Sequence, residues 1–168
     1  YNVAVGVGAL DAVTTGDKVV AIGKDAATAL TEAERAVVIG YNAASATTTG
    51  GAKYSVIIGS EAYTTASNAG EQNVSIGWRS MTNATTAQEC VFIGKDAGYV
   101  ITEGARNIGI GSGARAGTTG NDNVSIGSAA MNALTSGLRN IAIGTSAYDA
   151  ATTEDDNIAI GYDALGGA

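Results

Sequence analysis

Five residues before a recurrent glycine the chain places Glu89, Arg106, Asp122, Arg139 and Asp156, so that acid and base alternate without a fault at steps of 16 or 17 residues. Glu61, Arg79 and Asp96 alternate the same way two residues after that glycine. Carboxylates could act as general acids, metal ligands or ion-pair partners, and strict alternation of sign favours the last. The expected structure is a surface ladder of pairs, each worth about 0–1 kcal/mol. Acidic turns at Asn121-Asp122 and Glu154-Asp155-Asp156 raise calcium. Calcium solenoids of the nonapeptide kind repeat Gly-Gly-x-Gly-x-Asp, which this chain lacks, so no metal is expected. There is no His to serve as a general base or metal ligand, and Cys90, the single cysteine, has no internal disulfide partner. No catalytic residue and no cofactor is expected, and the chain reads as something other than an enzyme.

Binding chemistry is easier to place. Trp78 stands one residue after its glycine, and Tyr41 and Tyr162 share that position in other repeats. Aromatic rings there can stack on sugars or anchor a protein, which makes Trp78, Tyr41 and Tyr162 the candidate receptor contacts. Net charge is -7, and the nine Lys and Arg are unclustered, so nucleic acid is not an expected partner. No apolar run approaches the roughly 18 residues that span a bilayer, so no membrane insertion is expected.

These side chains must be positioned by a repeating element. Ten times the chain writes one five-residue phrase: a polar or small residue, Val or Ile, a small or apolar residue, Val or Ile, then Gly. The phrases are Asn2 to Gly6, Val19 to Gly23, Ala36 to Gly40, Ser55 to Gly59, Asn73 to Gly77, Cys90 to Gly94, Asn107 to Gly111, Asn123 to Gly127, Asn140 to Gly144 and Asn157 to Gly161. Their glycines lie 17, 17, 19, 18, 17, 17, 16, 17 and 17 residues apart, which makes residues 1–168 a single array. Each phrase reads as a short strand, since β-branched residues at period two share a face. The array is therefore all-β, a parallel β-solenoid of ten coils of about 17 residues.

Facing follows from residue type. The twenty Val and Ile positions are taken as the ladder inside the coil, with a second inward contact from the residue three after each Gly, which is Ala in nine repeats and Ser80 in the tenth. Thr-Thr-Gly, Thr118 to Gly120 and similar clusters read as turns, and Asn four before the Gly in six repeats reads as an amide ladder or turn cap. Asp25 to Arg35 has helix propensity, but the register of the array runs straight through it. The two long repeats, around Gly50 to Lys53 and around Ala69-Gly70, read as bulges in surface turns. No charged residue falls inside any phrase, and the middle residue, read as outward-facing, is uncharged as well. A strand covered on both faces needs a cover, and the simplest is another copy of the chain, meeting through Val38, Ile57, Phe92, Ala142 and Ala159.

Repeats such as Asn140-Ile-Ala-Ile-Gly-Thr-Ser-Ala147 and Asn157-Ile-Ala-Ile-Gly-Tyr-Asp-Ala-Leu165 resemble those of phage tail fibres and of the head domains of trimeric autotransporter adhesins. The resemblance implies a left-handed parallel β-roll in a homotrimer. It also implies a rigid shaft, in a virion tail fibre or at the cell surface, that presents or contacts a host glycan or protein receptor. A chain that begins inside a phrase and stops soon after another is expected to be an internal segment of a longer fibre. Two other classes compete. A left-handed β-helix acyltransferase needs an apolar residue every six positions and commonly a catalytic His, and neither is present. The alternative retained is an ice-binding β-solenoid, raised by Thr14, Thr31, Thr48, Thr85, Thr102, Thr119, Thr135 and Thr152, each eight or so residues after its Gly.

Overall fold

The computed structural model describes residues 1–48, 50–65 and 70–167, so Thr49, Ala69 of the second expected bulge and the terminal Ala168 lie outside the described residues. Ten strands of three residues stand in chain order: β1 (Val3–Val5), β2 (Val20–Ile22), β3 (Val37–Ile39), β4 (Val56–Ile58), β5 (Val74–Ile76), β6 (Val91–Ile93), β7 (Ile108–Ile110), β8 (Val124–Ile126), β9 (Ile141–Ile143) and β10 (Ile158–Ile160). They form one parallel sheet in which every strand pairs with its sequence neighbours. The chain is an all-β parallel solenoid of about nine turns with about 17 residues per turn. Register never slips: each middle residue sits over the middle residue of the next strand, from Ala4 over Ala21 to Ala142 over Ala159.

The turn after each strand is built one way throughout. In all ten coils the N–H three residues after the phrase glycine donates to that glycine's carbonyl, at 3.2–3.4 Å. The residue two after the glycine has positive φ in every coil, from Gly8 at 71° through Asn42 at 54° to Asp163 at 55°. A positive φ at the third residue of a hydrogen-bonded turn is the type II signature. The phrase glycines themselves take φ of 129–143°, and a Cβ on any of the first nine would collide with the carbonyl of the glycine in the next coil. Only glycine can occupy that column. Backbone bonds also join coils outside the sheet, for example Asp25 N–H to the Val7 carbonyl and Ala27 N–H to the Ala43 carbonyl, both 2.8 Å. Asp25 and Ala27, with φ of 56° and 54°, break any helical run through Asp25 to Arg35.

The expected facing of the strands is reversed. Val38, Ile57, Phe92 and Ala142 are fully buried and Ala159 nearly so, inside the coil and away from its outer surface. The Val and Ile that flank them are half-buried or exposed. These five residues are therefore core, and the expectation that they form subunit contacts is corrected. The cause is the width of the coil. The residue four before each glycine turns inward, and in coils 2 to 9 it is buried without exception: Val19, Ala36, Ser55, Asn73, Cys90, Asn107, Asn123 and Asn140. At period two the middle residue must then point inward as well, and the β-branched pair must point out. An interior this thin is filled by Ala, Ser and Asn, with few large residues.

Where a large residue does enter, a glycine makes room. A Cβ on Gly98 would lie 2.6 Å from the Phe92 ring, and one on Gly109 closer still. Tyr63 likewise fills the space over Gly70, donating its hydroxyl to the Gly70 carbonyl at 3.0 Å and accepting from Asn73 Nδ2 at 3.1 Å. The expected small-residue column three after the glycine is present, with Ala26, Ala43, Ala62, Ala97, Ala114, Ala130 and Ala147 all buried. Ser80, its one exception, donates its hydroxyl toward the Phe92 and Ala97 carbonyls.

Candidate functional site

Three surfaces carry the chemistry the sequence offers. The first is the outer face of the sheet. Residues three and one before each glycine form two parallel rows of Val and Ile, twenty side chains in all, with Ile22, Ile110 and Ile143 37–38% exposed in mid-array. The strip runs about 43 Å over nine strand-to-strand steps of about 4.8 Å. No charge interrupts it, because the phrases contain none. Continuous apolar surface of this length is unusual on an isolated soluble domain.

The second surface is the edge just beyond the glycines. Tyr41, Trp78 and Tyr162 all lie there and are exposed, at 49%, 44% and 82%. They do not converge: Tyr41 and Trp78 are two coils apart, and Tyr162 is five coils further along, roughly 24 Å away. Tyr41 has Lys24 Nζ 5.5 Å from its ring centre. Trp78 is bracketed by Arg79 at 4.9 Å and Lys95 at 5.2 Å. Arg79 also lies 4.7 Å from the ring of Tyr99, so one guanidinium joins two aromatic rings. Beside this group is a shallow groove lined by Asn42, Ser45, Glu61, Thr64, Arg79 and Tyr99. Sequence reasoning missed Tyr99, although it was the lone aromatic in its column, which holds Ser45, Thr64 and Thr82 in the three preceding coils.

The third surface is the alternating charge column. Arg106 grips Asp122 through two bonds of 2.6 and 2.9 Å, and Arg139 grips Asp156 at 2.6 and 2.8 Å. The guanidinium holds each carboxyl below the usual carboxylate range. The ladder thus resolves into bidentate couples on alternate steps. In the shorter column Arg79 Nε lies 3.0 Å from Asp96 Oδ1, an ion contact without the alignment of a hydrogen bond, and Lys95 Nζ lies 2.9 Å from Asp96 Oδ2. No cluster of three or more His, Cys, Asp or Glu suited to a metal occurs among the described residues.

Other singled-out residues are structural. The Asn of the recurrent column stitch coil to coil: Asn107, Asn123 and Asn140 accept at Oδ1 from the backbone N–H of Asn123, Asn140 and Asn157, at 2.9 Å in each case. Their Nδ2 groups donate to the carbonyls of Gly120, Gly137 and Glu154. The expected amide ladder is present, inside the coil. Cys90 replaces Asn in one step, its thiol directed at the Gly104 carbonyl, and burial pushes that thiol up to about 11. The Thr column does the same work in the turns. Thr14, Thr85, Thr102 and Thr135 donate their hydroxyls to backbone carbonyls one coil on, at 2.8–3.2 Å.

No helix among the described residues is long and apolar enough to cross a membrane. No family model, no curated protein and no solved structure matches this chain.

Proposed function

We propose that this chain is a shaft segment of a homotrimeric fibre, of the kind that phage tail fibres and trimeric autotransporter adhesins use, standing on a virion or outside the cell and presenting or contacting a host receptor. The observation that carries this reading is the outward double row of Val and Ile. A partner that buries the whole row must present apolar groups at the same step of about 4.8 Å, and a parallel copy of the chain does so by construction. Closed symmetry about one axis converts an exposed strip into a covered one and leaves no open interface. An interior filled by side chains and stitched by amides suits a rigid rod. Four of the eight column Thr, Thr14, Thr85, Thr102 and Thr135, donate their hydroxyls to backbone carbonyls, which favours a turn role for the column over an ice-binding one.

The test is molar mass in solution by light scattering, expected at three times the 16.6 kDa of the chain. Ile143→Asp, on the outer row, is expected to keep the β-solenoid circular dichroism and lose the assembled mass. A parent chain that stays monomeric at high micromolar concentration overturns the assembly.

A further inference from the structure

We infer that the groove beside Tyr99 is a binding site for a neutral carbohydrate. This deepens the adhesive half of the proposed function and does not depend on the assembly half. The edge next to the glycines is unevenly furnished. In coils 7 to 9 its first two positions are Ser112 and Gly113, Ser128 and Ala129, and Thr145 and Ser146, whereas coils 3 to 6 bring Tyr41, Asn42, Ser60, Glu61, Trp78, Arg79, Lys95 and Asp96, and coil 10 brings Tyr162 and Asp163. The backbone there is the same, with φ of 54–55° at Asn42, Glu61, Arg79, Asp96, Ala129 and Ser146, so the turn does not demand the richer set.

The groove supplies the groups a sugar needs. Tyr99 gives an aromatic wall for the apolar C–H face of a pyranose, and its link through Arg79 to Trp78 holds that wall in place. Asn42 offers donor and acceptor together, and Ser45 and Thr64 add hydroxyls. Charge decides the class. Arg79 and Lys95 share Asp96, at 3.0 and 2.9 Å, and the Glu61 carboxylate, with no ion-pair or hydrogen-bond partner among the described residues, brings these four charges to zero. A free acceptor that faces the groove calls for ligand hydroxyl donors and repels an anionic ligand. A shallow groove lying across several coils fits a stretch of oligosaccharide better than a small molecule that must be enclosed.

The test is a panel of immobilised neutral di- to pentasaccharides of glucose, galactose, mannose and N-acetylglucosamine, with sialylated and sulfated counterparts, probed with the intact chain. At least one neutral oligosaccharide is expected to bind. Tyr99→Ala should weaken it tenfold or more and Glu61→Gln threefold or more. Tyr99→Phe should retain binding, and Ser128→Ala, on the exposed edge of coil 8, should leave it unchanged. Circular dichroism and light scattering on the same samples report fold and assembly, so a chain that assembles but binds no sugar defeats the site and leaves the shaft standing. Binding confined to sialylated or sulfated members, no binding to any member, or binding indifferent to Tyr99→Ala each overturns the inference.

Discussion

Coils 2 to 6 and coils 7 to 10 share a register and a turn, yet they hold themselves together differently. The first region holds most of one apolar cluster that spans Leu10 to Ala116, built on Leu30, Ile57, Tyr63, Met81 and Phe92. The second interrupts that cluster with Asn107, Asn123 and Ser125, and resumes it around Met131, Leu134 and Tyr148. Side-chain amides and bidentate Arg–Asp couples join successive coils there, and the glycine edge of coils 7 to 9 carries only small residues. Large side chains force local fitting, as Phe92 does on Gly98 and Gly109, whereas an amide ladder needs only the same residue at the same step. A regular coil transmits register. An irregular one offers places for specific contact, and the furnished edge and groove lie on the irregular coils.

The comparison can be broken most severely from inside the regular half. Ala142→Asp places a carboxylate in a closed apolar interior with no partner, at a cost of several kcal/mol, and should abolish the cooperative melt of coils 8 to 10. Its neighbour Ile143 faces out, so an Asp there should leave the fold intact. Greater loss of fold at Ile143 than at Ala142, read by circular dichroism, would return the strand to the facing expected from sequence.

Phe92→Ala tests the irregular half. The ring fills space that two glycines vacate, and its loss should cost about 3–5 kcal/mol, read as lost hydrogen-exchange protection in coils 5 to 7. Gly98→Ala in that background has less to collide with, although its φ of 63° limits the rescue. Asn123→Ala should cost less, about 2–4 kcal/mol, because it leaves the Asn140 N–H and the Gly137 carbonyl unpaired without opening a large void. Exchange should then rise at coils 8 and 9 and remain unchanged in coils 2 to 6.

The smallest effect belongs to the surface couples. The Asp122 and Asp156 carboxyls are depressed in the folded chain by Arg106 and Arg139. Their stabilising contribution is therefore complete above the unfolded value of 3.8 and is lost as pH falls through the lower folded values. Melting should drop more steeply below about pH 4 in the parent than in an Arg106→Gln, Arg139→Gln double variant. High salt should narrow the gap between them at neutral pH.

The period, the parallel stacking and the Ala, Asn and Thr columns were legible because each obeys a local rule that repeats: φ at the glycine, size at the Ala, hydrogen-bond capacity at the Asn. Facing was not. The step from β-branched to buried holds for thick cores and fails in a coil so thin that Ala21, Ser75 and Ser125 suffice to fill it. The signal was in the spacing of Asn, which alternates with Val or Ile and reaches the carbonyls of the next coil only from inside. Trp78 and Tyr41 were correctly placed on one exposed edge. Tyr99 and Glu61 were not singled out together, since their proximity comes from stacking across coils and leaves no trace along the chain.

The stacked glycines set terms for how such a protein can change over time. Because no other residue fits a column in which each Cβ would strike the neighbouring carbonyl, a point substitution there is excluded in nine consecutive coils. Gain or loss of a whole repeat by unequal recombination, by contrast, preserves every glycine, every amide contact and the outward row, and changes the length by one step of about 4.8 Å. Spacings of 16 to 19 residues already coexist in the array, so the crossover need not be exact to the residue. Length is in effect inherited as a count, free to drift between lineages, while the cross-section is held fixed.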